Sequence, residues 1–149
     1  LEESKEIQKL FEELLIRIEN DSNQYEYYLK ELIERFENIM NSIENYLKLT
    51  KFEGLKEDLH PYISSLYYKS LTSKYLLERY LYERMDYDKD VIEDLTQSAN
   101  DSLLKSKSFM VETRTQEFPA TQLIATSGTK VIDKIIEYFV QVKSVYQNF

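Results

Sequence analysis

Residues 60–85 read HPYISSLYYKSLTSKYLLERYLYERM, and this stretch from His60 to Met85 holds six of the chain's 13 tyrosines. Its apolar residues recur three and four positions apart, which predicts one long helix. One face of that helix would collect Ile63, Leu66, Tyr67, Leu77, Leu81 and Met85. A second apolar strip lies beside the first and consists of Tyr62, Leu76 and Tyr80, so we expect a central helix of a bundle. Lys74 is the exception, because it places a cation in the middle of the apolar face.

The composition predicts an ordered, mainly helical protein. The chain has 149 residues, of which 42% are apolar, and it contains only two glycines and two prolines. No apolar run reaches the roughly 18 to 20 residues of a membrane span, so we expect a cytoplasmic protein without membrane contact. The sequence has no cysteine, and its only histidine is His60, which excludes disulfides and makes Ser-His-Asp catalysis a poor hypothesis. We interpret His60 and Pro61 as the entry to the long helix, since proline is tolerated in a first helical turn.

Charge divides the chain into two unequal parts. Residues 1–60 contain 15 acidic and 8 basic side chains, net −7, whereas residues 61–149 contain 12 and 11, net −1. Nucleic-acid binding by the first part is therefore improbable, because phosphate contacts need clustered Lys and Arg. We predict an acidic helical rod or hairpin over residues 1–56 and a helical domain over residues 57–149. The link from Lys51 to Leu59, which contains Gly54, is the predicted boundary.

Apolar stripes predict the remaining helices. A stripe through residues 7–18 and another through residues 25–47 are separated by the polar residues 20–23, and the pattern leaves open whether they form one helix or two. The acidic run 86–90 resembles the start of a calcium loop. That loop would need glycine at Val91 and glutamate at Gln97, so we predict a helix N-terminus and no metal site.

The last third of the chain is predicted to contain two more helices. A fourth helix runs through residues 91–104, and a final helix extends over residues 129–149. Between them, residues 108–115 favour a short β element or an extended link as an addition to the helices. The predicted fold class is therefore all-α, a multi-helix bundle.

Six short segments follow one another in an order that belongs to a known family. They are Asp58–Leu66, Ser73–Leu77, Tyr80–Arg84, Asp88–Thr96, Phe109–Thr113 and Phe118–Thr121. In this order and spacing, residues 57–128 resemble the C-terminal domain of the large subunit of archaeal and eukaryotic DNA primase. The family's cysteine positions are occupied by Tyr62 and Thr121, so the resemblance implies a form without the iron–sulfur cluster, as in the small third primase subunit of some thermophilic archaea.

The resemblance gives Lys74 a purpose. In the family, the basic residue at this position contacts the 5′-triphosphate of the initiating nucleotide, so ATP or another NTP is the implied ligand. The implied binding set comprises Lys74 with the hydroxyls of Thr72 and Ser73, and Lys107 and Arg114 from the following helix, with Lys105 as an addition. Tyr67 and Tyr75 are candidates for stacking on a base. The alternative is that Lys74 simply pairs with Glu78 one helical turn later.

Two main hypotheses of function follow. The first is a non-catalytic subunit of a multisubunit primase that binds the initiating nucleotide and supports RNA primer synthesis, with the catalytic and large subunits, the nucleotide and the DNA template as partners. The second is a helical-bundle interaction or adaptor protein without a ligand, which dimerises through residues 7–47. A small-molecule sensor lined by tyrosines is a third and weaker hypothesis. No catalytic residue is predicted in any of the three.

Overall fold

The computed structural model describes the backbone of residues 2–49, 53–114 and 119–142, and the side chains of residues 4–46, 48, 61–109 and 130–142. These residues form five helices: α1 Glu2–Glu19, α2 Tyr25–Leu49, α3 Glu53–Arg84, α4 Lys89–Arg114 and α5 Pro119–Gln141. The described residues include no strand, and the predicted all-α bundle is confirmed. None of the described helices is both long enough and apolar enough to cross a membrane.

The question of one or two N-terminal helices is answered by the turn after α1. Asp21 has a φ of 54°, a left-handed conformation that an α-helix cannot continue through. Ser22 then accepts a hydrogen bond from the Gln24 N–H at 3.2 Å through its hydroxyl oxygen. A short polar side chain that occupies a backbone donor in this way is typical of a helix start. The chain therefore reverses direction here, and α2 begins at Tyr25.

The predicted start of the central helix is wrong. Helix α3 begins at Glu53 and not at His60, so Pro61 lies inside the helix. Proline in a helix interior removes one backbone hydrogen bond, and here the 32-residue helix continues across it. The boundary predicted between residues 56 and 57 also falls within α3. The division of the chain into a rod and a second domain stays a prediction.

Two expectations for the last third of the chain are corrected. Residues 108–114 are helical and continue α4, so the alternative of a short β element over residues 108–115 is wrong as far as Arg114. Phe109 stacks on Tyr68 of α3, with ring centroids 5.7 Å apart, which places the aromatic side chain in a helix–helix contact. Helix α5 begins at Pro119, ten residues before the predicted start, and Gly128 does not interrupt it. Residues 143–149 of the predicted final helix lie outside the described residues.

Helix α3 is the centre of the fold, because it packs against α2, α4 and α5. The apolar stripes of α1, α2 and α5 meet it in one core, whose fully buried members include Leu14, Leu29, Leu32, Phe36, Leu77, Ile132 and Ile135. Within the stripe over residues 7–47, which the adaptor hypothesis assigned to dimerisation, the part from Ile7 to Phe36 contributes its buried members to the chain's own core. Met85, expected on the core face of α3, is exposed instead.

The contact between α3 and α4 is made by small polar side chains. Thr72 and Ser102 are joined through their hydroxyl oxygens at 2.7 Å, and the Ser65 hydroxyl donates to the Ser106 carbonyl at 3.4 Å. Small side chains let two helix backbones approach closely, and hydroxyls on a helix find acceptors on nearby carbonyls. The Ser102 hydroxyl also lies 3.0 Å from the Ala99 carbonyl, so its single proton is donated either to that carbonyl or to the Thr72 hydroxyl. Helices α3 and α4 therefore pack closely without a wide apolar seam.

Arg79 joins α3 to the end of α5. Its guanidinium donates to the Phe139 carbonyl at 2.9 Å and to the Val142 carbonyl at 3.3 Å, and the residue is only 7% exposed. Carbonyls in the last turn of a helix have no partner within that helix, so a fork of N–H donors suits them. Burial lowers the pKa of Arg79, and the nearby Glu83 acts in the opposite direction. This side chain fixes the end of α5 against the centre of the bundle.

Replacement of Arg79 by Met should lower the free energy of unfolding by about 2 to 4 kcal/mol, because it leaves buried carbonyl oxygens without donors. Chemical denaturation followed by circular dichroism measures this change. Lys89→Met is the control, since Lys89 is exposed and its loss should cost less than about 0.5 kcal/mol. Equal stabilities for Arg79→Met and the control would show that the guanidinium does not hold α5.

Candidate functional site

Lys74 lies between two carboxylates. Its Nζ is 3.4 Å from Glu37 Oε1 on α2 and 3.8 Å from Glu78 Oε1 on α3, and the Lys74 side chain is 26% exposed. The pairing with Glu78 that the sequence offered as an alternative is therefore present, and Glu37 adds a second carboxylate. A phosphate group that approached Lys74 would meet two negative charges beside one positive charge.

Thr72 and Ser73 do not face the same space as Lys74. Both are buried, because successive residues on a helix point about 100° apart and these two point into the bundle. The Thr72 hydroxyl donates to the Tyr68 carbonyl at 2.7 Å, and the Ser73 hydroxyl donates to the Lys69 carbonyl at 2.9 Å. Their donors are used within α3 itself. The structure thus separates these two predicted ligand residues from Lys74.

The basic residues of α4 lie at another level of the bundle. Ser106 meets Ser65, nine residues before Lys74, which corresponds to about 14 Å along α3 at about 1.5 Å per residue. Lys107, next to Ser106, is exposed at this distant level. Arg114 is the last residue of α4, about two turns further away, and its side chain lies outside the described residues. Lys105 has its Nζ 4.9 Å from the centre of the Tyr68 ring.

The tyrosines proposed to stack on a base are engaged within the fold. The Tyr67 hydroxyl donates to Glu44 Oε1 at 2.9 Å, and its ring meets the edge of Tyr68 at 5.3 Å. Burial and the Glu44 carboxylate raise the pKa of Tyr67. Tyr75 is partly buried and packs against the core. At the two family cysteine positions, Tyr62 is buried, and the Thr121 side chain lies outside the described residues.

Glu78 is the most perturbed carboxyl beside Lys74. Burial raises its pKa, Lys74 acts in the opposite direction, and Glu37 adds to the increase. Burial also raises the pKa of Tyr82, with a contribution from Glu78. A carboxyl whose pKa is higher in the folded than in the unfolded state stabilises the fold when it is protonated. That contribution is present at low pH and is lost as the pH rises through the folded pKa.

Glu78→Gln should therefore gain stability relative to the unmodified protein as the pH rises above about 4.5, the ordinary glutamate value. Thermal unfolding of both proteins at a series of pH values between about 4 and 7 measures the difference. Glu93→Gln is the matched control, because Glu93 has the same spacing to a lysine, Lys89, but is exposed. If the stability difference between Glu78→Gln and the unmodified protein does not change with pH, or changes equally for Glu93→Gln, the pKa of Glu78 is not raised by burial.

A different surface stands out at the end of the bundle where two turns meet. Tyr25 at the start of α2 packs against Tyr80 near the end of α3, with ring centroids 6.3 Å apart, and Arg79 fixes the end of α5 beside them. The turn between α1 and α2, the turn between α3 and α4 and the end of α5 thus lie together. We define residues 16–27, 82–91 and 138–142 as the turn end.

The turn end holds most of the exposed apolar side chains of the described residues. Among the described residues, seven large apolar side chains are exposed. Six of them belong to the turn end: Ile16, Tyr27, Met85, Tyr87, Val91 and Val140. The seventh is Leu104 on α4. Single exposed apolar residues are ordinary on a protein surface, and their concentration in one region makes the turn end a candidate interaction site.

Ring and guanidinium contacts order the side chains of the turn end. Tyr82 and Tyr87 are stacked, with centroids 4.5 Å apart and planes inclined by 8°. Arg84 lies 3.2 Å from the centre of the Tyr80 ring, and Arg17 lies 5.2 Å from the centre of the Tyr28 ring. Cations placed over aromatic faces are held by the negative charge of the ring face. The surface is thereby formed before any partner arrives.

The turn end is not among the surfaces predicted from the sequence, although the sequence contains a signal for it. Ile16, Tyr27 and Val140 each lie outside the apolar stripe of their own helix. A large apolar residue that is out of phase with its stripe cannot reach the core. Such residues mark candidate interaction surfaces, and three of them occur within two helical turns of a helix end.

Comparisons with family models, with curated proteins and with solved structures gave no match for this chain. Among the described residues, no group of His, Asp and Glu side chains is arranged to hold a metal ion. The resemblance to the primase domain rests on the sequence segments alone and stays a prediction. Function is therefore inferred from the side chains of the turn end and from Lys74 with its two carboxylates, Glu37 and Glu78.

Proposed function

We propose that the protein is a helical interaction module that binds another protein through the turn end. The observation that carries this proposal is the concentration of six exposed apolar side chains in that region. Tyr, Met and Arg are enriched in protein interfaces, and the turn end presents Tyr27, Met85 and Arg84. A ligand-free adaptor of this kind corresponds to the second hypothesis from the sequence, with a different surface.

Contacts that fix side chains at the turn end support the same proposal. Binding costs free energy when side chains that were mobile become fixed at an interface. At the turn end, the Tyr82–Tyr87 stack and the Arg84–Tyr80 contact already fix long side chains. The bundle below is held by the apolar core and by Arg79, so the turn end has a rigid support. A preorganised surface of this kind suits specific docking.

A photo-cross-linking experiment tests the proposal. A photoreactive phenylalanine analogue at Tyr27, which is 60% exposed, should give one discrete cross-linked product with a partner protein in cells. The same analogue at Leu104, which is exposed on α4 outside the turn end, is the control and should give no such product. The partner should be absent from cross-links of a Met85→Ser variant. Equal products at both positions would show that the turn end has no special role.

The primase hypothesis is a second proposal about the partner. It identifies the catalytic and large primase subunits as the proteins that would be captured, and the order of the segments in residues 57–128 supports it. A non-catalytic subunit acts by docking, so this identity is compatible with an interface at the turn end. Its nucleotide-binding part requires Lys74, whose surroundings are acidic.

ATP titration of the isolated protein and of Lys74→Ala tests the nucleotide-binding part. The two carboxylates beside Lys74 lead us to expect no saturable binding by either protein, since they oppose a triphosphate. Lys89→Ala is the matched control, because Lys89 also pairs with a glutamate four residues later. Isothermal titration calorimetry provides the measurement. Saturable binding that is lost in Lys74→Ala but kept in the control would instead establish the initiating-nucleotide role.

A further inference from the structure

The charges around the turn end define the chemistry of its partner. The three ranges of the turn end contain seven acidic side chains, Glu19, Asp21, Glu26, Glu83, Asp86, Asp88 and Asp90, and three basic ones, Arg17, Arg84 and Lys89. The net charge of the turn end is thus −4, half of the −8 of the whole chain. The turn end therefore combines exposed apolar side chains with an excess of acidic residues.

The basic side chains of the turn end are already engaged. Arg17 pairs with Glu13 at 2.9 Å, and Lys89 pairs with Glu93 at 3.7 Å. Arg84 lies on the Tyr80 ring and donates to the Tyr80 carbonyl at 3.1 Å. Glu26 in turn pairs with Lys30 of α2 at 2.9 Å, so Glu26 is not one of the unpaired acids.

Several carboxylates of the turn end have no such partner. Asp21, Asp86, Asp88 and Asp90 are exposed, and no cation of the described chain lies within ion-pair distance of them. Within the described part of α3, Glu83 also has a buried oxygen, Oε1, without a hydrogen-bond donor. Ser70 Oγ, elsewhere on α3, is a second buried atom without a partner, and the Glu83 carboxylate acts on Arg79, so the exposed aspartates rather than Glu83 provide the accessible negative charge. Apolar area and unpaired acid thus occur together.

We infer that the turn end binds a basic amphipathic segment of another protein, one that carries Lys or Arg on one side and large apolar side chains on the other. This inference rests on the proposed function and specifies its partner. Nucleic acids and anionic membranes are disfavoured, because phosphates would approach carboxylates. A second copy of this chain is disfavoured for the same reason, since two turn ends would each contribute a charge of −4.

Two designed peptides test the inference against the full chain. Both are amphipathic helices of about 18 residues with the same leucine face, and they differ only in a lysine or a glutamate polar face. Fluorescence anisotropy should show that the lysine peptide binds at least about tenfold more tightly than the glutamate peptide. Its affinity should fall several-fold between about 50 and 300 mM NaCl, because exposed charge attraction is screened. Equal affinities for the two peptides would overturn the inference.

Matched variants separate specific docking from general attraction between opposite charges. Asp86→Asn, Asp88→Asn and Asp90→Asn combined should weaken the lysine peptide by about tenfold, and asparagine keeps the helix-capping ability at residue 88. The control combines Glu6→Gln, Glu34→Gln and Asp101→Asn, three exposed acids outside the turn end. It changes the net charge equally and should leave the affinity unchanged. An equal loss in both triple variants would overturn the inference.

One further variant distinguishes failure of the inference from failure of the proposed function. Val91→Ser combined with Met85→Ser removes exposed apolar area and leaves both the acids and the cross-linking position Tyr27 intact, so it should weaken the lysine peptide and abolish the cellular cross-link at Tyr27. If the cross-link at Tyr27 persists while both peptides bind equally, the turn end is a protein interface but its partner is not a basic segment. If the double serine variant changes neither peptide binding nor cross-linking, the turn end is not an interface. Sedimentation of the unmodified chain as a dimer that this variant dissociates would identify a second copy as the occupant and overturn the inference.

Discussion

The structure depends on the burial of α3 against three other helices. A helix with neighbours on three sides has little contact with water, so its buried polar groups need partners inside the protein, and within the described part of α3 only Ser70 Oγ and Glu83 Oε1 lack one. Lys69 meets this demand through Asp133 on α5 at 2.8 Å, and Arg79 meets it through the carbonyls at the end of α5. Thr72 and Ser73 meet it through carbonyls of α3 itself. The polar residues of the central helix are thus part of how the bundle is assembled.

This demand also explains Lys74, which first suggested a ligand. A lysine near an apolar surface keeps its charged end toward solvent and finds carboxylates there. Glu37 and Glu78 supply them, one from α2 and one from α3. Partial burial disfavours the charged form of Glu78, and it raises the pKa of this carboxyl despite the neighbouring lysine. The contact between α2 and α3 therefore accounts for the position of Lys74, and nucleotide binding at this residue stays a prediction.

Features that depend on the periodicity of apolar residues could be predicted from the sequence. Features that depend on contacts between residues distant in the chain could not. The apolar stripes of α1, α2 and α5 predicted these helices, and their buried members lie in the core because apolar side chains on one face of a helix leave water by packing together. The start of α3 could not be predicted, since Pro61 is a usual helix-start residue and its acceptance inside a helix depends on the surrounding packing. The segment before Arg114 has residues that favour strands, yet Phe109 gains a stacking contact with Tyr68 only as part of α4. The grouping of Tyr27, Met85 and Val140 depends on which helix ends lie together, and that is a property of the fold.

The same constraint indicates why function should be sought at an end of the bundle. Packing uses the sides of α3, and the α3–α4 contact is closed by small side chains that leave no wide space between the helices. The ends of the helices are less covered than their sides, because the chain turns there and the last residues of each helix have neighbours on one side only. At the turn end, Asp21 and Asp86 both adopt positive φ, at 54° and 60°, and each turn brings acidic residues and exposed aromatic residues to the surface. Arg79 and the Tyr25–Tyr80 contact hold these turns to the core, so the helix ends from which the exposed side chains project have fixed positions relative to one another.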